Sequence, residues 1–84
     1  MFGTSWNVHL RVPPGAEGHE LRAGALAREA GQLLDWETME VEPLRMRFAY
    51  LRKHEAERLF RLLRESIPQS VVWLEMEQGL GIAE

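Results

Sequence analysis

Between residues 5 and 12 apolar and polar side chains alternate: Trp6, Val8, Leu10 and Val12 fall on one side, Ser5, Asn7, His9 and Arg11 on the other. A period of two is the mark of a strand buried on one face, so the spacing predicts a strand over 5–12. Pro13-Pro14-Gly15 ends it, because two residues without an N–H and one glycine cannot extend a ladder. The period then changes. Ala23, Leu26, Ala27, Ala30, Leu33 and Leu34 recur at spacings of three and four, the stripe of an amphipathic helix over 19–34. Gly24 and Gly31 within it each cost about 1 kcal/mol relative to alanine, unless they mark a close approach of backbone. Leu21 falls opposite the stripe, so the helix either starts after it or leaves it exposed.

Alternation returns over 37–42 and 44–51, with Met39, Val41, Leu44, Met46, Phe48 and Tyr50 on one side and Thr38, Glu40, Glu42, Arg45, Arg47 and Ala49 on the other. These segments read as a hairpin. A two-residue Glu42-Pro43 turn of the primed type needs positive φ, which proline forbids, so the expected loop is four residues, 42–45. That register sets Glu40 opposite Arg47; the shorter one sets it opposite Arg45. A helix over 52–67 carries Ala56, Leu59, Phe60, Leu63 and Ile67 on one stripe, with Leu62 off it, and Pro68 stops it. Its outer side offers Lys53/Glu57, Glu57/Arg61 and Arg61/Glu65 at i,i+4. The last strand, over 70–78, turns Val72, Leu74 and Met76 inward and Val71, Trp73, Glu75 and Glu77 outward. The remaining tail, 79–84, has Leu80 and Ile82 available to pack.

The order β-α-β-β-α-β resembles the ferredoxin-like two-layer plait, an α+β fold whose antiparallel four-stranded sheet, in the order 4-1-3-2, carries two helices on one face. The resemblance spans nearly the whole chain as one domain, 1–84, but rests on element order, so it implies a fold and no function. Length and element order are also similar to those of the small subunit of bacterial formylglycinamidine synthase. The motif expected there after the first strand is absent, so no membership follows.

Composition narrows the field. The 84 residues contain no cysteine, which removes disulfides, a thiolate nucleophile and cysteine-based zinc sites together. The net charge of −3 supplies no global positive field for nucleic acid or anionic lipid. The longest apolar runs are far short of the roughly 20 residues that cross a bilayer, and no basic leader precedes an apolar stretch, so a cytoplasmic protein without membrane segments is expected. Arginine (9) outnumbers lysine (1) and glutamate (12) outnumbers aspartate (1), a skew of the thermophile-like kind. So small a domain leaves a modest stability margin, which favours self-association.

Chemistry, if any, belongs on the sheet face the helices leave open. His9 is the natural general acid or base there, with Glu75 or Glu77 on one neighbouring strand to orient its ring and Arg47 on the other to hold an anion; an enzyme would use His9, Arg47 and Glu75. A polar side chain on a wet sheet face is the commoner meaning of the same pattern. RNA-binding domains of this topology stack bases on aromatics of the two central strands, where this chain has His9 and Arg47, which argues against nucleic acid. His19 and His54 lie on separate helices, no Gly-rich phosphate loop is present, and neither a metal nor a cofactor is expected. Trp73 beside Val71 is different, because exposed apolar rings mark interfaces. The first half of that strand is also a sheet edge without charge, which natural edges usually avoid. The primary expectation is therefore a non-catalytic module, a homodimer or higher oligomer or a binder of another protein. It would associate through the open face, using Val71, Trp73, Asn7, Arg11 and Arg45, or through the last-strand edge. The alternative is a small enzyme similar to the dimeric α+β-barrel isomerases and cofactor-free oxygenases, with His9, Arg47 and Glu75 in a pocket between two sheets. An RNA-binding domain stands second to it.

Overall fold

The computed structural model describes residues 4–15 and 18–78. Six elements follow in the order β1 (Thr4–Val12), α1 (His19–Ala30), β2 (Leu33–Val41), β3 (Leu44–Tyr50), α2 (Lys53–Ser66) and β4 (Val71–Gln78). All strand pairs are antiparallel, and the sheet order β2-β3-β1-β4 is that of the ferredoxin-like plait. The inward residues of β1 and β3 (Val8, Leu10, Val12, Leu44, Met46, Phe48 and Tyr50) meet Ala23, Ala27 and Ala30 of α1 and Ala56, Leu59 and Leu63 of α2 in one core. Leu62, which the stripe leaves off, nonetheless packs against this core, and Leu21 is exposed on α1. Tyr50 donates its hydroxyl proton to the Ala27 carbonyl, and burial pushes its phenol well above the ordinary value, with the Glu55 charge adding to the shift.

The expected helix over 19–34 stops at Ala30, because Gly31 adopts φ 152°, a conformation L side chains rarely take. Residues 33 and 34 therefore begin a strand that starts four positions earlier than the predicted 37. A Cβ at Gly31 would stand 2.7 Å from the Glu55 side chain, whose Oε2 accepts the Gln32 N–H at 3.1 Å. Gly31→Ala is expected to cost about 1–2 kcal/mol in urea denaturation, and an unchanged midpoint would contradict this account of the helix end. Gly24 faces the Trp36 indole, which a Cβ there would meet at 3.4 Å in ordinary van der Waals contact, so this approach does not require glycine; Trp36 in turn stacks on Phe48.

Irregularities in β2 between Leu33 and Asp35 and between Thr38 and Glu40 change which side chains face which layer. Thr38, expected outward, lies on the helix side and donates to Glu20 Oε2 at 2.6 Å. Met39, expected in the core, is the extra residue of the second irregularity and is half exposed. Val41 pairs with Leu44 but is 69% exposed at the edge. Met76, read as inward, keeps its helix-side position opposite Trp6, yet the helices leave it 54% exposed. The hairpin turn is Glu42-Pro43 alone, joined by a cis peptide bond. Val41 pairs with Leu44, so two residues close the loop where four were expected, and neither takes the positive φ of the primed types. Glu40 accordingly meets Arg45, at 3.6 Å, and not Arg47. Of the i,i+4 pairs read on the second helix, Lys53/Glu57 closes at 4.0 Å among the described residues. Leu80 and Ile82 lie outside the described residues.

Candidate functional site on the open sheet face

Three strands carry the site. The β1 ladder sets His9 between Arg47 of β3 and Trp73 of β4, and Asn7 between Ala49 and Glu75. In a strand these residues point away from the helices because their neighbours Val8 and Leu10 are wholly inside. His9 Nε2 lies 2.8 Å from Glu75 Oε1, and its ring stacks on the Trp73 indole with centroids 5.0 Å apart and planes 7° apart. An ionised carboxylate only accepts, so Nε2 carries the proton in this contact and Nδ1 is the ring's other nitrogen. The Asn7 amide donates to Glu77 Oε1 at 2.9 Å and to Glu75 Oε1 at 3.3 Å, while its oxygen accepts from Arg47 Nη1 at 3.4 Å. These side chains close over Asn7 so completely that it is 2% exposed, although no helix covers it.

Arg47 is engaged on its other side as well. Its Nη2 donates to Glu37 Oε1 at 2.9 Å and lies 3.5 Å from Asp35 Oδ2. The Glu37 hydrogen bond holds the guanidinium above its ordinary value, against the partial burial that pulls the other way. Such a guanidinium is committed to protein carboxylates and has little left for a substrate anion. Glu75 moves in the opposite direction: the hydrogen bond from His9, then that from Asn7, holds its carboxyl below the usual glutamate range. A lowered folded-state value stabilises the fold above the ordinary carboxylate pKa and is lost as the pH falls through the folded one. In a carboxyl-detected NMR titration Glu75 is expected to titrate below ordinary glutamate, and His9→Ala to move it part of the way back, since Asn7 remains. A midpoint unmoved by His9→Ala would show that the contact does not exist in solution.

The structure thus unites His9, Glu75, Trp73, Asn7 and Arg47, and places Val71, Arg11 and Arg45 together one ladder step further on. Glu37 and Asp35 are the members the sequence reading missed. Their signal was Gly31: ending the helix there makes Trp36 an inward strand residue and its two neighbours outward ones. A shallow depression of about 260 Å3 next to the stack is lined by Arg11, Glu40, Pro43, Arg45 and Trp73. Larger recesses of about 300 and 510 Å3 lie at the two ends of α1 and share no residue with the His9–Trp73 stack. Among the described residues no group of His, Asp and Glu is arranged to hold a metal ion, and no helix is long and apolar enough to cross a membrane. Trp73 remains 41% exposed and Val71 55% exposed despite their neighbours. No protein-family model matches the chain, and no curated protein matches it.

Proposed function

We propose that this chain is a non-catalytic association module whose working surface is the open sheet face around Trp73, with the β4 edge beside it. The observation that carries the reading is the Trp73 indole: it stands exposed next to Val71, yet is already ordered by stacking on His9. An aromatic ring fixed in place before binding gives contact area at little further entropic cost, which is how interface anchors act. The polar centre of the face supports the same reading. Asn7, Arg47, Glu75 and His9 partner one another, so covering them leaves few unpaired groups. The β4 edge also runs from Val71 to Gln78 without a break in register, whereas the β2 edge carries two irregularities of the kind that discourage strand pairing.

Sedimentation velocity tests this directly. The expected result is a concentration-dependent species heavier than the 9.7 kDa chain. A single species of monomer mass at every concentration, with no partner captured by the open face, would contradict it. One observation favours a second reading, an enzyme using His9: its Nε2 is held by Glu75 at 2.8 Å, the arrangement a carboxylate uses to orient a catalytic imidazole. Against that stands Arg47, which is bound to Glu37 and Asp35, and the His9 side chain, which is only 16% exposed beneath Trp73.

A further inference from the structure

The open face is polar in the literal sense. Read along the strands, one end holds Glu75, Glu77 and Asp35, aligned by register with Asn7, Ser5 and Ala49. The opposite end holds Arg11 and Arg45 side by side, flanked by Val71 and by Glu40. Between them runs the row Trp73, His9, Arg47, Glu37. Three carboxylates at one end therefore oppose two guanidiniums and one carboxylate at the other. Among the described residues Arg11 makes no ion pair, and the Arg45–Glu40 contact is loose at 3.6 Å.

Resting on the association reading above, we infer that the partner is a second copy of this chain, stacked face to face with its strands reversed about a two-fold axis perpendicular to them. That operation lays the basic end of each copy over the acidic end of the other, so the favourable juxtaposition occurs twice. Arg11 then lies over the partner copy's Asn7, beside Glu75, and Arg45 over its Ala49, beside Asp35, while Glu40 over Asp35 is the one like-charged contact at each end. A two-fold axis along the strands would instead set the Arg11–Arg45 end against the same end of the partner copy, and the acidic end against the acidic end. The reversal is centred on the middle row, so the two Trp73 indoles meet near the axis. Charge polarity thus selects one of the two symmetric stackings, and it fits a second copy because the same face supplies both halves of the match. Two sheets packed this way lie about 10 Å apart with strands within roughly 30° of each other.

The test uses two charge-reversed full-length chains. One carries Arg11→Glu with Arg45→Glu, the other Asp35→Lys with Glu75→Lys. Each alone places like charge against like charge and is expected to associate at least about tenfold more weakly than wild type. Mixed in equal amounts, the two regain opposite charges at both ends, and a heterodimer within a few-fold of wild-type affinity is expected. Circular dichroism of each chain checks the fold. If the lysine chain does not fold, a chain with Asp35→Asn and Glu75→Gln replaces it, and the mixture must associate more tightly than the glutamate chain alone. A wild type that stays monomeric defeats the association reading itself. A wild type that associates and loses association on Trp73→Ala, but whose reversed chains gain nothing on mixing, defeats the reversed stacking alone.

Discussion

Phe48→Ala is expected to remove about 3–5 kcal/mol of stability, the largest effect of any single substitution considered for this chain. Phe48 is wholly buried on β3, opposite Val8 on one side and Trp36 on the other, and stacks on the Trp36 ring at 5.7 Å between centroids. Truncation loses the transfer free energy of the ring and leaves a cavity that two flanking strands cannot close. An 84-residue domain has on the order of 5–10 kcal/mol in total, so the variant is expected to be largely unfolded when warmed to body temperature. Urea denaturation followed by far-UV circular dichroism measures it. A loss under about 1 kcal/mol would mean that the ring is not at the centre of the core.

Trp73→Ala is expected to act on association and to spare the fold. The indole lies on the side of β4 away from the helices, while its neighbours Val72 and Leu74 pack toward the core. The single chain therefore loses the stack on His9 and partial burial, about 1–2 kcal/mol. The assembled state loses an anchor, and aromatic anchors at interface centres are worth about 2 kcal/mol or more, or roughly thirtyfold in affinity. Because association stabilises the folded state by mass action, the wild-type unfolding midpoint should rise with protein concentration, and the variant's should not. Trp73→Phe is expected to fall between the two. Equal loss of monomer stability and of association would show that the ring is a structural residue only.

The alternation of β1, β3 and β4 and the stripe of α2 could be read directly from the sequence, because each buries one face against the core and polar substitutions there would be costly. That was enough for the plait. What stayed hidden lies in β2. Leu33 and Leu34 fit a helical spacing as well as a strand, and only the backbone conformation of Gly31 decides between them. Two irregularities then break the period of two, so Thr38 and Met39 exchange environments with no trace in the hydrophobic pattern. The turn is shorter than the sequence implies because excluding the primed types does not exclude every two-residue turn. At the candidate site, parity alone put His9, Trp73, Asn7, Arg47 and Glu75 on one face. The carboxylate beside His9 could be anticipated, but which hydrogen bonds form depends on register: a shift of two residues that set His9 opposite Val71 and Asn7 opposite Trp73 would take the imidazole away from Glu75.

The open sheet face is the surface through which the chain is expected to associate. The chain contains three tryptophans, and their indole N–H resonances report on three places: Trp6 beneath Lys53, Trp36 over Gly24 and Phe48, and Trp73 on the open face. The decisive measurement is a dilution series of proton–nitrogen correlation spectra. The indole resonance of Trp73 is expected to shift with concentration, together with backbone amides of β1 and β4, while those of Trp36 and of both helices stay fixed. A Trp73 resonance that does not move while the mass changes, or shifts concentrated on the helix layer, would place the interface elsewhere and contradict the account.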